Sequence, residues 1–433
     1  MKKIILYLFT LLASSIVSAQ EPLQPSPRQI KAQTSLQAYI DTMLKNNPAL
    51  HAYQFQSDAL QQKIKSSQAW DDPMAYGGVM NLPLNFSFSE DMMTMKQVGI
   101  QQNFSVKKKY ALKGIVAQKD FEASQYDLRV QQLLLIKEVK QQYYNLYAQA
   151  KTIETTQISI DALKKYIGIV NARYSNGLSP QQDVFKAQLE VTKMQSELIK
   201  AISMQEDMLA NFNRLLYRDK MDSVQSPIDI KFDKVDFVMD SLMDEVNLNN
   251  PTLLSAKKML SKDSISYELA KTSKIPDFNA GLWYGQRQAL NPDGTKVLDM
   301  IGFSFGVTIP FWSKNKQDPL IAESNINIQK TKAQIAAMQN DIQQMVHHAI
   351  IEANKNEKLI ALYKKQLIPQ STETLNSGII GYQQNKIDFM TLTDNFLSLY
   401  NYRLQYYQAI ADYYKAIAEL EMLSGKKLNT QER

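Results

Sequence analysis

The chain has 433 residues, of which 44% are hydrophobic and 21% charged, with a formal net charge of +6 and no cysteine. Basic and acidic residues are interleaved along the chain, which argues against nucleic acid as a partner. The absence of cysteine excludes disulfides and thioether lipidation.

The N-terminus has the pattern of a secretory signal. Lys2 and Lys3 precede an apolar run over 4–12, and Val17-Ser18-Ala19 has the small residues of a cleavage site. We expect a signal peptide over 1–19, followed by an extended leader over 20–34. No later apolar run approaches the roughly 18 residues of a transmembrane helix. Any membrane span would therefore consist of β-strands.

The chain contains an internal duplication. Asn46-Asn47-Pro48 recurs 203 positions later as Asn249-Asn250-Pro251, and Tyr174 matches Tyr382 at an offset of 208. We expect a first repeat over 35–217, a connector over 218–238, a second repeat over 239–425 and a tail over 426–433. Each repeat should contain a helix, a β-hairpin, a long helix, a turn and a final helix.

The two hairpins are expected at about 74–106 and 276–312. In the first, the apolar residues over 82–88 alternate with polar or turn residues, which predicts a strand; a second strand follows over 98–106. In the second, apolar residues alternate with small or polar ones over 301–311. Each strand should therefore have one apolar face, and Asn291-Pro292-Asp293-Gly294 predicts a turn.

Long helices should follow each hairpin. The stretch from Lys107 to about Tyr174 has no proline and would be roughly 100 Å long as a helix. Its apolar residues include a coiled-coil spacing. Asn176-Gly177 should stop this helix, with Ser179 capping the next one and Pro180 in its first turn. The last helix carries two apolar seams, which predicts packing on two sides.

These elements together resemble the TolC-like outer-membrane efflux protein family. The most specific residues are Tyr174-Ser175-Asn176-Gly177, Asp183-Val184 and Ala187 in the first repeat, and Tyr382, Asp388, Asp394 and the tyrosine-rich last helix in the second. The stretch over 95–104 resembles the heavy-metal branch of that family.

The resemblance implies a mainly α fold with a small β part. Such proteins are trimers in which the duplicated helices form a periplasmic tunnel and each protomer gives four strands to one 12-stranded β-barrel. The implied partners are two further copies of the chain, a periplasmic adaptor protein, an inner-membrane pump of the RND or ABC type, and outer-membrane lipid. No cofactor is implied.

The resemblance also implies candidate site residues. Tyr174, Gly177 and Tyr382 belong to the helix reversals at the periplasmic mouth. Asp183 and Asp394 match acidic positions of the family; Asp388 lies nearby without a match. Three copies of an inward carboxylate would form a ring that attracts cations. The alternative is that these acids simply favour helix starts.

Two further motifs were weighed against simpler interpretations. The thioethers of Met92, Met93 and Met95 suit soft Cu(I) or Ag(I), but methionine also fills flexible loops and lipid-facing surfaces. The stretch over 302–306 matches G-x-S-x-G, but its Ser304 lies in a predicted strand, not at a strand-to-helix turn. We therefore predict no catalytic site.

The predicted function is a passive outer-membrane channel in a tripartite efflux system. Two alternatives stay open at this point. An exit duct for type I protein secretion would have the same architecture. A periplasmic coiled-coil adaptor or scaffold would share the long helices but would not need two hairpins with an apolar face.

Overall fold

The computed structural model describes residues 35–219, 224, 230–235 and 239–428. The predicted signal peptide (1–19) and leader (20–34) lie outside the described residues. So do parts of the predicted connector (218–238) and the last residues of the predicted tail (426–433).

The same order of elements occurs twice along the chain. The first half contains α1 (Leu36–Asn46), α2 (Pro48–Gln68), β1 (Met74–Met80), β2 (Met95–Phe104), α3 (Lys107–Ser175) and α4 (Gln181–Leu215). The second half contains α5 (Met239–Asn249), α6 (Pro251–Thr272), β3 (Asp277–Arg287), β4 (Met300–Thr308), α7 (Gln317–Leu362), α8 (Ile368–Gln383) and α9 (Phe389–Ser424). The chain is mainly helical with a small β part, as predicted.

Each Asn-Pro phrase begins a helix. The Asn47 side chain accepts a hydrogen bond from the Ala49 backbone N–H at 2.8 Å, with Pro48 in the first turn of α2. Asn250 caps α6 in the same way, and its side-chain amide also donates to the Leu423 carbonyl at 2.8 Å. A proline fits the first turn because its missing N–H would have no helical acceptor there. The second phrase thereby also joins α6 to the end of α9.

The four strands form one antiparallel sheet in the order β1-β2-β3-β4. The prediction of a strand over 82–88 is wrong, because β1 ends at Met80. Asn81 and Phe86 both adopt positive φ, and the Phe86 N–H donates to the Pro83 carbonyl at 2.9 Å in a turn. Proline has no N–H to give to a ladder, and left-handed residues interrupt an extended chain.

The long helix predicted after the first hairpin is confirmed. α3 has 69 residues, which gives a length of about 100 Å. Val139, Tyr143 and Leu146 of its predicted seam are buried. The predicted capping role of Ser179 is wrong: α4 begins one residue later, with Pro180 at the cap position, and the Asp183 N–H donates to the Pro180 carbonyl at 3.1 Å.

The corresponding helix of the second half is interrupted once. A π-helical segment, Tyr363–Leu367, joins α7 to α8, whose second residue is Pro369. A proline ring excludes the carbonyl four residues before it from the normal helical hydrogen bond. The wider π turn lets the helix continue through the proline.

Three apolar clusters lie along the helices. One joins α1, α3 and α4 around Met43 and Phe212, and another joins α5, α7 and α9 around Val346 and Tyr413. The third lies where α3 turns into α4 and α8 into α9. None of the described helices combines the length and the apolar character that a membrane crossing requires.

Candidate functional site at the helix reversals and the sheet

The two helix reversals have equivalent backbone hydrogen bonds. After α3, the Leu178 N–H donates to the Arg173 carbonyl at 2.9 Å; after α8, the Lys386 N–H donates to the Gly381 carbonyl at 2.8 Å. This bond across six residues is a helix-ending motif that needs a left-handed residue inside it. The two bonds are related by the same offset of 208 that relates Tyr174 to Tyr382.

A left-handed residue occupies the same place in each reversal. Gly177 has φ 70°, and Asn385 has φ 61°. Glycine adopts this conformation without strain, and asparagine tolerates it better than most residues. Gly177 was predicted from the sequence, whereas Asn385 was not. Its signal was its position, 208 residues after Gly177, since its residue type differs.

Arg173 connects the two reversals. It is 7% exposed, and its guanidinium donates to the Leu178 carbonyl at 2.8 Å and, in the other repeat, to the Gln383 carbonyl at 2.7 Å. It also bonds the Asn385 side-chain oxygen and lies 4.6 Å from the centroid of the Tyr382 ring. A buried guanidinium needs such acceptors because it cannot lose its charge. Arg173 was not predicted from the sequence, and its equivalent position in the second repeat is Gly381.

Tyr382 links the second reversal to Asp183. Its side chain is 2% exposed, and its hydroxyl donates to Asp183 Oδ2 at 3.2 Å. Burial raises the pKa of the Tyr382 phenol, and the nearby Asp183 carboxylate raises it further, so the phenol stays a donor at neutral pH. Tyr174, at the equivalent position, is 43% exposed. We call Arg173, Asp183, Tyr382 and Asn385 the reversal network.

The other two candidate carboxylates have different surroundings. Asp388 caps α9 by accepting a hydrogen bond from the Thr391 N–H at 2.8 Å, and this bond holds the pKa of Asp388 below its usual range. Asp388 therefore has the helix-start role that is the alternative to a carboxylate ring. Asp394 lies six residues after Asp388 in α9 and is exposed. The structure thus brings Asp183 and Tyr382 together and gives Asp388 a capping role.

The sheet has one exposed apolar face. The strand register places Leu282 opposite both Ile100 and Phe303, so their side chains share a face. Phe303 is 85% exposed, and its neighbours along β4 are exposed too. The apolar residues of this face are Ala75, Val79, Val98, Ile100, Phe104, Phe278, Ala280, Leu282, Tyr284, Ile301, Phe303, Phe305 and Val307.

The opposite face is rich in glycine and polar side chains. It carries Gln97, Gln101, Asn103, Asn279, Ser304 and Thr308 together with several glycines. Two aromatic rings use the space over these glycines. A Cβ at Gly99 would lie 2.6 Å from the Tyr76 ring, and one at Gly302 would overlap the Trp283 indole. The sheet therefore fits an apolar medium on one side and water on the other.

The three candidate methionine ligands differ in exposure. Met92 and Met93 are exposed in the turn after β1, whereas Met95 is buried, with its sulfur in the space that a Cβ at Gly285 would need. Within the described ranges, no group of three or more histidine, aspartate or glutamate side chains is placed to hold a metal ion. Met92, Met93 and Met95 stay candidate ligands for a soft metal that the structure does not test.

This architecture is similar to that of known outer-membrane proteins. Residues 39–216 match the family described as outer membrane efflux protein. The structure resembles the transmembrane channel CusC (TM-score 0.77, 14% identity, covering 94% of this chain and 99% of that one). It also resembles the outer membrane protein VceC of Vibrio cholerae (TM-score 0.75, 14% identity, covering 91% of this chain and 97% of that one). A third similar structure is the open MtrE outer membrane channel of Neisseria gonorrhoeae (TM-score 0.73, 15% identity, covering 92% of this chain and 91% of that one). The search of curated protein sequences gave no match.

Proposed function

We propose that this protein, a member of the outer membrane efflux protein family, is the exit duct of a tripartite efflux system. It is an outer-membrane protein with a large periplasmic helical part. The observation that carries the proposal is the two-faced sheet at one end of helices that reach about 100 Å.

The sheet supports assembly as a homotrimer. β1 and β4 are the edges of the four-stranded sheet, and four strands are too few to close a barrel. Exposed edges and a large exposed apolar face are both unfavourable in a monomer in water. Three copies joined edge to edge would make a 12-stranded barrel with the apolar face toward lipid and the glycine-rich face toward the water-filled lumen.

The helix reversals supply the other end of the duct. An adaptor protein in the periplasm would pack on these helices and connect the duct to an inner-membrane pump of the RND or ABC type. The reversal network holds α3 and α4 to α8 and α9 within one protomer. Widening of the mouth would separate these helix pairs, so it would break the bonds of Arg173 and Tyr382. The duct is passive, and the pump supplies the energy and selects the cargo.

Asp183 and Asp394 are the proposed carboxylates of the mouth. Three copies of each would attract cations at the narrowest part of the duct. We expect Asp183→Ala and Asp394→Ala to lower the cation selectivity of single channels, measured as a shift in reversal potential under a salt gradient. Asp388→Ala is the control: it removes a carboxylate that caps α9, and it should leave the cation selectivity unchanged. Unchanged selectivity in both variants would refute the carboxylate ring.

The two-faced sheet also separates this proposal from the scaffold alternative. A periplasmic adaptor works in water, where the thirteen apolar side chains of one sheet face, twelve of them exposed, would favour aggregation. A duct for secreted proteins would share the fold and differ only in cargo.

A deletion strain tests the proposal. Loss of the gene should raise sensitivity to dyes, detergents, copper or silver, and the wild-type gene should restore resistance. A deletion that alters only the secreted proteins would favour protein export instead. In cell fractions, the protein should appear as heat-modifiable trimers in the outer membrane; a soluble periplasmic monomer would refute the proposal.

A further inference from the structure

Exposed aromatic rings surround the helix end of the sheet. Trp70 packs edge-on against Phe104 at 5.7 Å between ring centroids, and the register places Phe104 opposite Phe278 on the apolar face. Phe311 and Trp312 follow β4, and Trp312 is 78% exposed. The apolar face thus ends in aromatic side chains where the strands give way to helices.

Lysines accompany these rings in both repeats. We define the collar as residues 70–72, 104–109, 274–278 and 311–318, which contain six lysines and four aspartates. Two of the lysines are paired: Lys109 with Asp277 at 2.8 Å, and Lys274 with Asp318 at 2.5 Å. The four remaining lysines, which are all exposed, are Lys107, Lys108, Lys314 and Lys316. They outnumber the exposed Asp71 and Asp72, so the collar is positive.

The opposite end of the sheet has the opposite charge. The loops over 81–94 and 287–299 contain four acidic and two basic residues. An apolar face thus separates a negative end from a positive one. The positive collar lies on the side of the long helices, which is the periplasmic side under the proposed function.

The positions of the lysines are unfavourable for the helices themselves. Lys107, Lys108 and Lys109 fill the first turn of α3, which has no acidic residue and no capping side chain, and Lys316 occupies the cap position of α7. Cations at a helix N-terminus oppose the helix dipole and the unpaired N–H groups there. An external anion beside these residues would reverse the penalty. Such a local conflict often marks a functional surface.

We propose that the collar binds the headgroups of anionic phospholipids in the periplasmic leaflet. This inference rests on the proposed function, which places the apolar face in a membrane. Aromatic rings favour the headgroup level, and lysine stems can lie along them while the ammonium reaches a phosphate. A lipid fits better than free phosphate because the lysines adjoin rings that continue into the apolar face.

Lipid retention tests the collar directly. The full-length protein is reconstituted in phosphatidylcholine with or without phosphatidylglycerol, and the lipids it retains on release are counted by native mass spectrometry. The test variant is Lys107→Gln/Lys108→Gln/Lys314→Gln/Lys316→Gln. We expect its preference for phosphatidylglycerol over phosphatidylcholine to fall about tenfold or more, since each lysine near an anionic surface contributes measurably.

A matched control separates the collar from total charge. Lys164→Gln/Lys165→Gln/Lys330→Gln/Lys332→Gln removes four other exposed lysines, with the first two roughly 85 Å along α3 from Lys107. This control should keep the wild-type lipid preference. Equal preference in the two variants would overturn the inference. Displacement of phosphatidylglycerol by inorganic phosphate, but not by chloride of the same ionic strength, would also overturn it in favour of a free-anion site.

Channel currents keep this inference apart from the proposed function. In pure phosphatidylcholine, the wild type and the collar variant should both give single-channel currents. Currents with no lipid preference in the wild type would refute the collar alone. Absence of currents in every lipid would refute the duct.

Discussion

Tyr174 and Tyr382 occupy equivalent positions of the duplicated chain, yet their surroundings differ. Tyr174 faces solvent, whereas Tyr382 is buried between Arg173 and Asp183. The duplication therefore produced two copies of one turn, of which only the second carries a tyrosine that holds the repeats together. A hydrogen bond to a charged carboxylate is stronger than one between neutral groups.

The first prediction removes this bond. Tyr382→Phe keeps the ring under Arg173 but deletes the hydroxyl that donates to Asp183. We expect a loss of about 1 kcal/mol in the free energy that holds the two reversals together, and hence a several-fold rise in channel open probability. Single-channel recording in planar bilayers measures it. Tyr174→Phe is the control and should have the open probability of the wild type. If the open probability of Tyr382→Phe also equals that of the wild type, the reversal network does not restrict the mouth.

Glu122 provides a second prediction at this scale. It accepts hydrogen bonds from Lys258 at 2.7 Å and Lys119 at 2.9 Å, and these bonds lower its pKa from 4.5 to about 2. Because the folded state has the lower pKa, the stabilisation is present above pH 4.5 and is lost as the pH falls toward 2. The Lys258 bond also joins α6 to α3.

Glu122→Gln should therefore lower the thermal midpoint of the helical part at pH 7, and its difference from wild type should shrink as the pH falls below 4.5. Circular dichroism at fixed ionic strength measures the thermal midpoints of the variant and the wild type at each pH. The expected loss at pH 7 is on the order of 1 kcal/mol, since a partly exposed pair is screened by solvent. Glu206→Gln removes an exposed carboxylate as a control. A difference that is constant with pH would contradict the assignment.

Sequence reasoning reached some of these residues and not others. Gly177 was predictable because Asn-Gly shortly before Ser179-Pro180 ends a helix by local backbone preference. Arg173 was not, since its acceptors are carbonyls in both repeats, and their approach depends on tertiary packing. Asp183 was found through family resemblance, but its bond to Tyr382 came only from the fold.

At the scale of elements, the sheet shows where alternation misleads. The residues over 82–88 alternate well, but they contain a proline and the left-handed Phe86, follow the left-handed Asn81, and form a turn. The true strand, β1, contains Gly77-Gly78 and alternates poorly, because Tyr76 lies on the polar face and fills space over Gly99. The pattern of β4 was correctly predicted over 301–308, since both of its faces follow the two-residue period, but the predicted alternation over 309–311 is wrong: β4 ends at Thr308, and the Phe311 N–H donates to the Ile309 carbonyl in a turn across Pro310. Element order and helix length were predictable from local composition and the repeat.

The glycines on the polar face give the prediction at this scale. A Cβ at Gly302 would overlap the Trp283 indole, so Gly302→Ala should displace the ring and cost about 1 to 3 kcal/mol as an overpacked site. The variant should lose its folded electrophoretic form at a lower temperature than wild type. Gly78→Ala is the matched control, because no atom lies within 4 Å of its added Cβ. Equal melting of both variants would show that Trp283 does not depend on the glycine.

At the scale of the whole molecule, the duplication and the two-faced sheet lead to the same conclusion. Each chain supplies two hairpins that form one open sheet, and its apolar face needs a covering that the described part of the chain does not provide. The number of copies was not predictable from periodicity. Unpaired edge strands indicate that copies assemble, but they do not determine how many. The family resemblance supplied the number three.

Single-channel recording of the purified protein in a planar bilayer tests the central claim most directly. We expect discrete current steps in phosphatidylcholine alone, because three copies would enclose a continuous water-filled lumen. Tyr382→Phe should raise the fraction of time spent open. A protein that inserts no conducting unit in any lipid, and stays a water-soluble monomer, would contradict the duct.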